Sequence, residues 1–223
     1  MSDPSLDWEV DLPARGECSL SGRPPRATLR VSTSERGEER RQLPVAVGRR
    51  LARVLEGDGA QPASRAELLY LVGELERSCG HERVEALVGR RDFSTHELAE
   101  RLSRDGYPGS VAEELVARAS SCGLVDDGRY AAAFVRSKVA AGWGRAKIAR
   151  ELSRRGIEVE EVAGWPDEFF DAGEERARAL DLASRRRLTG KNDFARTVRF
   201  LCGRGFSYGL AAEVAREVVD GRN

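Results

Sequence analysis

The period of the apolar residues changes along the chain. From residue 27 to residue 47 they alternate, with Leu29, Val31 and Thr33 on one side of a turn at Arg36–Gly37 and Leu43, Val45 and Val47 beyond it. A period of two marks a strand with one covered face, so this stretch reads as a small hairpin with Pro44 holding its second arm at an edge. From Gly48 onward the spacing turns helical: Leu51, Val54 and Leu55 make a short stripe, and Leu68, Leu71, Val72 and Leu75 a longer one. Ser64, Ser94 and Ser110 are followed at the third position by Glu67, Glu97 and Glu113. In that pattern the serine hydroxyl accepts from an open first-turn amide while the glutamate reaches back.

The helix ends are more regular than the starts. ELAERLSRDGY (97–107), KIARELSRRGI (147–157) and TVRFLCGRGF (197–206) each close on glycine followed by a bulky apolar residue. Glycine adopts the left-handed conformation that ends a helix, and the next residue folds back, pairing Leu102 with Tyr107, Leu152 with Ile157 and Leu201 with Phe206. A spacing of about fifty residues lies in the range of helical repeat arrays. More helix is expected around each closure: Ser110–Ser121; a helix capped by Asp126 with Tyr130, Ala133, Phe134, Ser137 and Ala141 on one face; a short one through Val162; one opened by Pro166 and ending at Arg185–Arg187; and a last one from Ser207 through Val218. Residues 1–25, rich in Pro, Ser, Gly and Asp, read as a flexible extension, and 26–84 as the hairpin and first helices. Residues 85–141, 142–190 and 191–223 read as three helical repeats, the last truncated because it lacks room for a third helix. The expected class is all-α, with a small N-terminal hairpin-like segment.

Charge sharpens this picture. Among 223 residues, 37 Lys and Arg balance 37 Asp and Glu, yet the balance is not local. Asp3, Asp7, Glu9, Asp11 and Glu17 face only Arg15 near the start. From Gly128 to Ile157, Arg129, Arg136, Lys138, Arg145, Lys147, Arg150, Arg154 and Arg155 face only Glu151, and residues 185–204 are similarly basic. The local field is what an anionic partner meets. No apolar run approaches a membrane span, and the acidic beginning lacks the basic-then-apolar order of a secretory signal, so a cytoplasmic protein is expected. Cys18, Cys79, Cys122 and Cys202 are scattered, and only His81 and His96 could join them, which argues against zinc and for buried or idle thiols.

Catalytic patterns are missing. TGKND (189–193) has a Gly-Lys pair without the rest of a phosphate loop, there is no G-x-S-x-G, and the two histidines are far apart. Asp126–Asp127 and Glu160–Glu161 fall at helix starts, where they suit the dipole better than acid–base work. No enzyme, cofactor or metal is expected. GWG (142–144) before a basic helix has some likeness to a helix-hairpin-helix turn, whose amides hold a phosphate. That pattern wants a small residue where Ile148 stands, so Trp143 reads instead as packing between consecutive helices. In the helix after it, Ile148 and Leu152 point one way and Lys147, Arg150 and Arg154 the other. In the third repeat Phe194, Val198 and Leu201 point inward, and Arg196, Arg199 and Arg204 outward. Two corresponding helices with outer sides almost free of acids point to a binding surface. Its candidate residues are Arg129, Arg136, Arg145, Lys147, Arg150, Arg154 and Arg155, with Arg185, Arg186, Arg187, Lys191, Arg196, Arg199 and Arg204.

GLVDDGRYAAAFVRSKVAAGWGRAKIARELSRRGI (123–157) resembles the signature stretch of the RecX regulatory proteins. RRDFSTHELAERLSRDGY (90–107) is similar to that family's opening repeat and KNDFARTVRFLCGRGFSYGLAAEVARE (191–217) to its closing one. The resemblance covers residues 85–220 and, more weakly, the segment from 27 on. It implies tandem three-helix repeats in an elongated, curved body. It also implies a non-enzymatic, monomeric partner of RecA that lies along the RecA–DNA filament and limits its recombinase, ATPase and co-protease activity, contacting RecA or single- or double-stranded DNA. A stand-alone DNA-binding protein and an adaptor for another acidic protein remain the alternatives.

Overall fold

The computed structural model describes residues 6–14, 24–33, 37–57 and 61–221. The chain divides into two compact units, Met1–Val125 and Asp126–Asn223.

The first unit opens with an antiparallel sheet of three strands, β1 (Asp7–Asp11), β2 (Ala27–Thr33) and β3 (Gly37–Leu43), in the order β1-β2-β3. Strand β2 alternates as expected, burying Ala27, Leu29, Val31 and Thr33. The expected flexible extension is corrected at residues 7–11, where Trp8 lies opposite Val31 and Val10 opposite Leu29, so that a short polar segment still supplies an apolar pair. The remainder of 1–25 lies partly outside the described residues. Val45 and Val47 also differ from expectation: they belong to α1 (Val45–Leu55), with Pro44 as its N-cap. Proline needs no N–H there, and its fixed φ suits a helix start better than a strand arm. Strand β3 buries only Leu43 and otherwise presents Glu and Arg.

Helices α2 (Arg65–Val88), α3 (Thr95–Asp105) and α4 (Gly109–Ser121) complete the unit. Ser64 and Ser94 cap as the sequence implies, accepting from Glu67 N and Glu97 N at 3.2 and 3.1 Å, and Glu67 returns to the Ala63 N–H at 2.7 Å. Ser110 does not cap, because α4 begins one residue earlier, at Gly109, behind Pro108. Leu29, Leu43, Leu51, Leu68, Leu98, Leu102 and Leu115 are buried in one apolar cluster. Glu76, the one buried acid among the described residues, receives two hydrogen bonds from Arg41, at 2.9 and 3.0 Å, tying α2 to the sheet.

The second unit holds α5 (Asp127–Ala140), α6 (Arg145–Ser153), a 3-10 turn (Val159–Glu161), α7 (Ala172–Ser184), α8 (Asp193–Arg204) and α9 (Tyr208–Asp220). All three foreseen closures form: the amides of Tyr107, Ile157 and Phe206 each reach the carbonyl of Leu102, Leu152 and Leu201 at 3.1 Å, across left-handed Gly106, Gly156 and Gly205. The same closure recurs unforeseen at Gly123 and Gly142, where Leu124 N reaches Ala119 O and Trp143 N reaches Lys138 O, both at 2.9 Å. Each foreseen closure ends the middle helix of a trio (α2–α3–α4, α5–α6–3-10 turn, α7–α8–α9), whereas the repeats expected to continue with more helix after it would have it end an opening one.

The third repeat therefore has its third helix. Ala179 and Ala183 of α7 pack with Val198, Leu201, Phe206, Ala211 and Val214 of α8 and α9. The helix expected to open at Pro166 opens instead behind Asp171, whose carboxylate accepts from Gly173 N and Glu174 N at 2.8 and 3.0 Å, and Arg185–Arg187 follow its last turn. In α5 the buried positions are Ala131 and Val135, which join Ile148, Leu152, Ile157, Val162 and Phe170. Ala133, Ser137 and Ala141, expected on the covered face, are exposed.

Candidate cationic interface

The second and third trios meet backbone to backbone. Gly144 N donates to Arg204 O at 2.8 Å and Ala146 N to Gly205 O at 3.2 Å. A Cβ at Gly144 would lie 2.4 Å from the Gly205 carbonyl carbon and oxygen, so only glycine permits the approach. The amides that a helix-hairpin-helix turn would offer to a phosphate are thus occupied by protein carbonyls, and Trp143 packs edge-on against Phe134 at 6.4 Å between ring centres.

The fourteen candidate residues sort by what their heads touch. Arg145 is turned inward: its Nε donates to Glu175 at 3.0 Å, its Nη2 reaches the Phe170 carbonyl at 3.5 Å, and the guanidinium lies 5.0 Å from the Phe170 ring centre. Arg155 is held as firmly, by Tyr130 Oη at 3.1 Å and the Glu151 carbonyl and carboxylate at 2.6 and 3.0 Å. The Arg155 hydrogen bond, with the charges of Arg154 and Lys147, keeps the Glu151 carboxyl below the usual carboxylate range. Arg154 also pairs with Glu151, at 3.1 Å, and Arg185 with Asp181, at 2.8 Å. Arg196 donates to Thr189 Oγ1 at 2.6 Å beside Asp193, whose carboxyl is held low first by the Thr189 amide and then by that of Gly190.

The others face aromatic rings or solvent. Lys147 sits 3.9 Å from the Trp143 ring centre. Arg186 and Arg204 flank Phe200 at 4.3 and 5.3 Å, and Arg136 stands 5.7 Å from Phe169. Arg150, Arg187, Lys191 and Arg199 are exposed, and none has a carboxylate within 4.0 Å among the described residues. Arg129 is exposed at the start of α5. Because Lys147 abuts Gly205, the Trp143–Lys147 group continues into Arg204, Phe200 and Arg186, giving a strip of alternating rings and cations. Phe194, expected inward, is exposed at 36% and lies under Arg216.

A RecX family model, for its second three-helix domain, matches residues 126–163. The regulatory protein RecX of Mycobacterium marinum is 38% identical over 137 residues, covering 57% of this chain and 78% of that protein. That of Streptomyces coelicolor is 33% identical over 175 residues, covering 74% and 90%. The chain belongs to the RecX family. The crystal structure of RecX from Lactobacillus salivarius has a TM-score of 0.54 at 18% identity, over 64% of this chain and 96% of that one. A further RecX crystal structure gives 0.54 at 13% identity over 97% and 98%. At these identities the likeness concerns the fold, largely helical with a small sheet.

Within this RecX chain the matched domain holds α5, α6 and the 3-10 turn, half of the strip. The rings of the strip were legible in the sequence and passed over: Phe134–Lys138, Trp143–Lys147 and Phe200–Arg204 all have the i, i+4 spacing that sets a ring beside a cation. Also missed was an arginine-rich cavity of about 440 Å³ in the first unit, lined by Arg83, Arg90, Arg91, Arg101 and Arg104, with the Arg91 guanidinium 3.6 Å from the Phe93 ring centre. Acids answer several of these: Arg83 and Arg101 share Asp105, and Arg91 meets Glu97. Among the described residues no helix is long and apolar enough to cross a membrane, and no cluster of three His, Cys, Asp or Glu could hold a metal.

Proposed function

We propose that this protein is a non-enzymatic modulator that binds RecA and the RecA–DNA filament and lowers recombinase, ATPase and co-protease activity. The observation carrying the reading is the strip on the second unit, where Lys147 and Arg204, neither with a carboxylate within 4.0 Å among the described residues, stand beside aromatic rings in a chain of the RecX family. Guanidinium and ammonium groups backed by rings pay little to give up water, and they meet carboxylates or phosphates as charge-assisted hydrogen bonds. Titration of this protein into RecA on single-stranded DNA with ATP lowers hydrolysis if the reading holds. Unchanged hydrolysis at saturating protein refutes it.

The interleaving of rings and cations also supports a second reading, binding of DNA without RecA, since stacked bases and phosphates are what such a strip accommodates. Filter binding to naked DNA across salt separates the two. A stand-alone DNA binder loses affinity steeply as salt rises, whereas weak binding to naked DNA beside firm binding to RecA rejects it.

A further inference from the structure

A cavity apart from the strip lies between α5, the segment before α7, and α7. It has a volume of about 490 Å³ and is lined by Arg136, Val139, Ala140, Glu168, Phe169 and Arg178. Arg178 was not among the residues the sequence singled out. Its side chain is 21% exposed, and its Nε and Nη2 are shut from solvent without a hydrogen-bond partner. Among the described residues the one carboxylate within 4.0 Å of it is Glu174, 3.7 Å away and itself 74% exposed, so solvent screens that attraction. The guanidinium lies 5.7 Å from the Phe170 ring centre, and across the cavity Arg136 stands the same distance from Phe169. Buried polar atoms are ordinarily satisfied, and a half-desolvated guanidinium beside an open cavity is short of a counter-charge.

We propose that this cavity receives an acidic side chain of a protein partner, an aspartate or glutamate carboxylate presented next to an apolar side chain. The planar fork of arginine matches a carboxylate in two-point contact, and an anion in the cavity supplies the charge that Arg178 lacks. Val139, Ala140 and Phe169 form the apolar wall for the flanking residue. Two arginines less one glutamate leave the lining with one positive charge, enough for a single carboxylate. A nucleic-acid backbone fits worse, since it would bring further phosphates against Glu168. The proposal does not depend on the partner being RecA, and its test uses none.

The test titrates the full chain, labelled with ¹⁵N, with the peptide acetyl-Phe-Asp-Leu-amide, its Asn counterpart, and a short oligothymidylate. The expected result is a saturable shift of the Arg178 Nε–H signal and of the amides of residues 168 and 169 with the Asp peptide. Affinity is expected to fall at least tenfold for the Asn peptide and to be lost in Arg178→Met with helicity retained. If Arg178→Met does not fold, Arg136→Gln on the cavity rim serves in its place, with at least a threefold loss expected. Equal binding of the Asp and Asn peptides overturns the proposal. So does the absence of any saturable shift with either peptide, and so does a shift caused by the oligothymidylate alone, which would make the cavity a phosphate site.

Discussion

Replacing Gly144 by alanine isolates the joint between the second and third trios. Gly144 has φ −90° and ψ 167°, which alanine adopts without strain, so the change acts through contact alone. The new methyl would sit 2.4 Å from the Gly205 carbonyl group and 2.6 Å from Phe206 N, and a backbone cannot swing aside as a side chain can. Restoring ordinary van der Waals distance moves the closure away by about 1 Å, which takes the Gly144 N–Arg204 O and Ala146 N–Gly205 O bonds, at 2.8 and 3.2 Å, beyond hydrogen-bonding range. Two such bonds contribute about 1 kcal/mol each, and more when their partners stay buried. Alanine returns about 0.4–1 kcal/mol by restricting the unfolded chain. The net loss is about 1–1.5 kcal/mol, a fall in Tm of about 4–12 °C for a unit near 100 residues. Gly203→Ala is the control: it lies in α8, and its methyl meets nothing within 4 Å, so it is expected to melt at or slightly above the wild type. Circular dichroism melts give the Tm, and hydrogen exchange localises the effect, with protection in α6 and α8 falling about five- to tenfold for 1–1.5 kcal/mol. A Gly144→Ala protein melting within about 2 °C of the wild type, with exchange unchanged in α6, refutes the reasoning.

Arg145 and Arg150 are neighbours on one helix with opposite expected behaviour. Arg145→Ala leaves Glu175 (side chain 13% exposed) without its partner and is expected to cost about 1–2 kcal/mol in a thermal melt. Arg150→Glu with Arg199→Glu is expected to leave the melt unchanged while weakening filament binding severalfold in a pull-down with RecA on DNA, and a destabilised double variant would mean these groups are packed. Burial pushes the Glu76 carboxyl above its ordinary 4.5 despite the Arg41 pair, since Arg41 is partly in solvent. The folded state then binds that proton more tightly, so stability falls as pH rises from about 4.5 through the raised folded value. Glu76→Gln is expected to flatten that part of a pH series of urea melts, and equal slopes in the two proteins would reject the assignment. Asp193, held low by the Thr189 and Gly190 amides, contributes in the other direction. Its stability is present above about pH 4 and lost as pH falls through the depressed folded value, and Asp193→Asn is expected to lack that acid limb in the same series.

The sequence disclosed the closures best because glycine and the residue after it are local signals: a left-handed glycine and a returning amide need nothing from the rest of the fold. It placed Ile148 and Leu152 correctly for the same reason, a strong helical period over one short segment. What it missed is long-range. Strand β1 has only Trp8 and Val10 to announce it, and its partner is supplied by β2 from a distant part of the chain. The Ser110 pattern was as good as that of Ser64, but Pro108 pre-empted the start. The module phase was misjudged because the closures are repeated within trios, and only packing of Ala179 and Ala183 on α8 and α9 assigns α7 to the third. The cationic faces were legible as charge, whereas the fates of individual arginines depended on acids such as Glu175, thirty residues from Arg145.

That division of arginines bears on how a chain without net charge can hold a polyanion. At physiological ionic strength a charge is felt over about 8 Å, so the net charge of the whole chain does not set the field at any one cation. What matters is whether a carboxylate stands within hydrogen-bonding reach, as it does for Arg145, Arg154, Arg155 and Arg185. Those heads are already spent on the fold, and an incoming phosphate or carboxylate would have to displace a partner already in place. Lys147 and Arg204 are held by rings, which fix the head without neutralising it. The salt dependence of binding should accordingly follow the few ring-backed and solvent-facing cations and not the total of basic residues, so that removing Arg145 or Arg155 changes stability while the salt slope stays as it was.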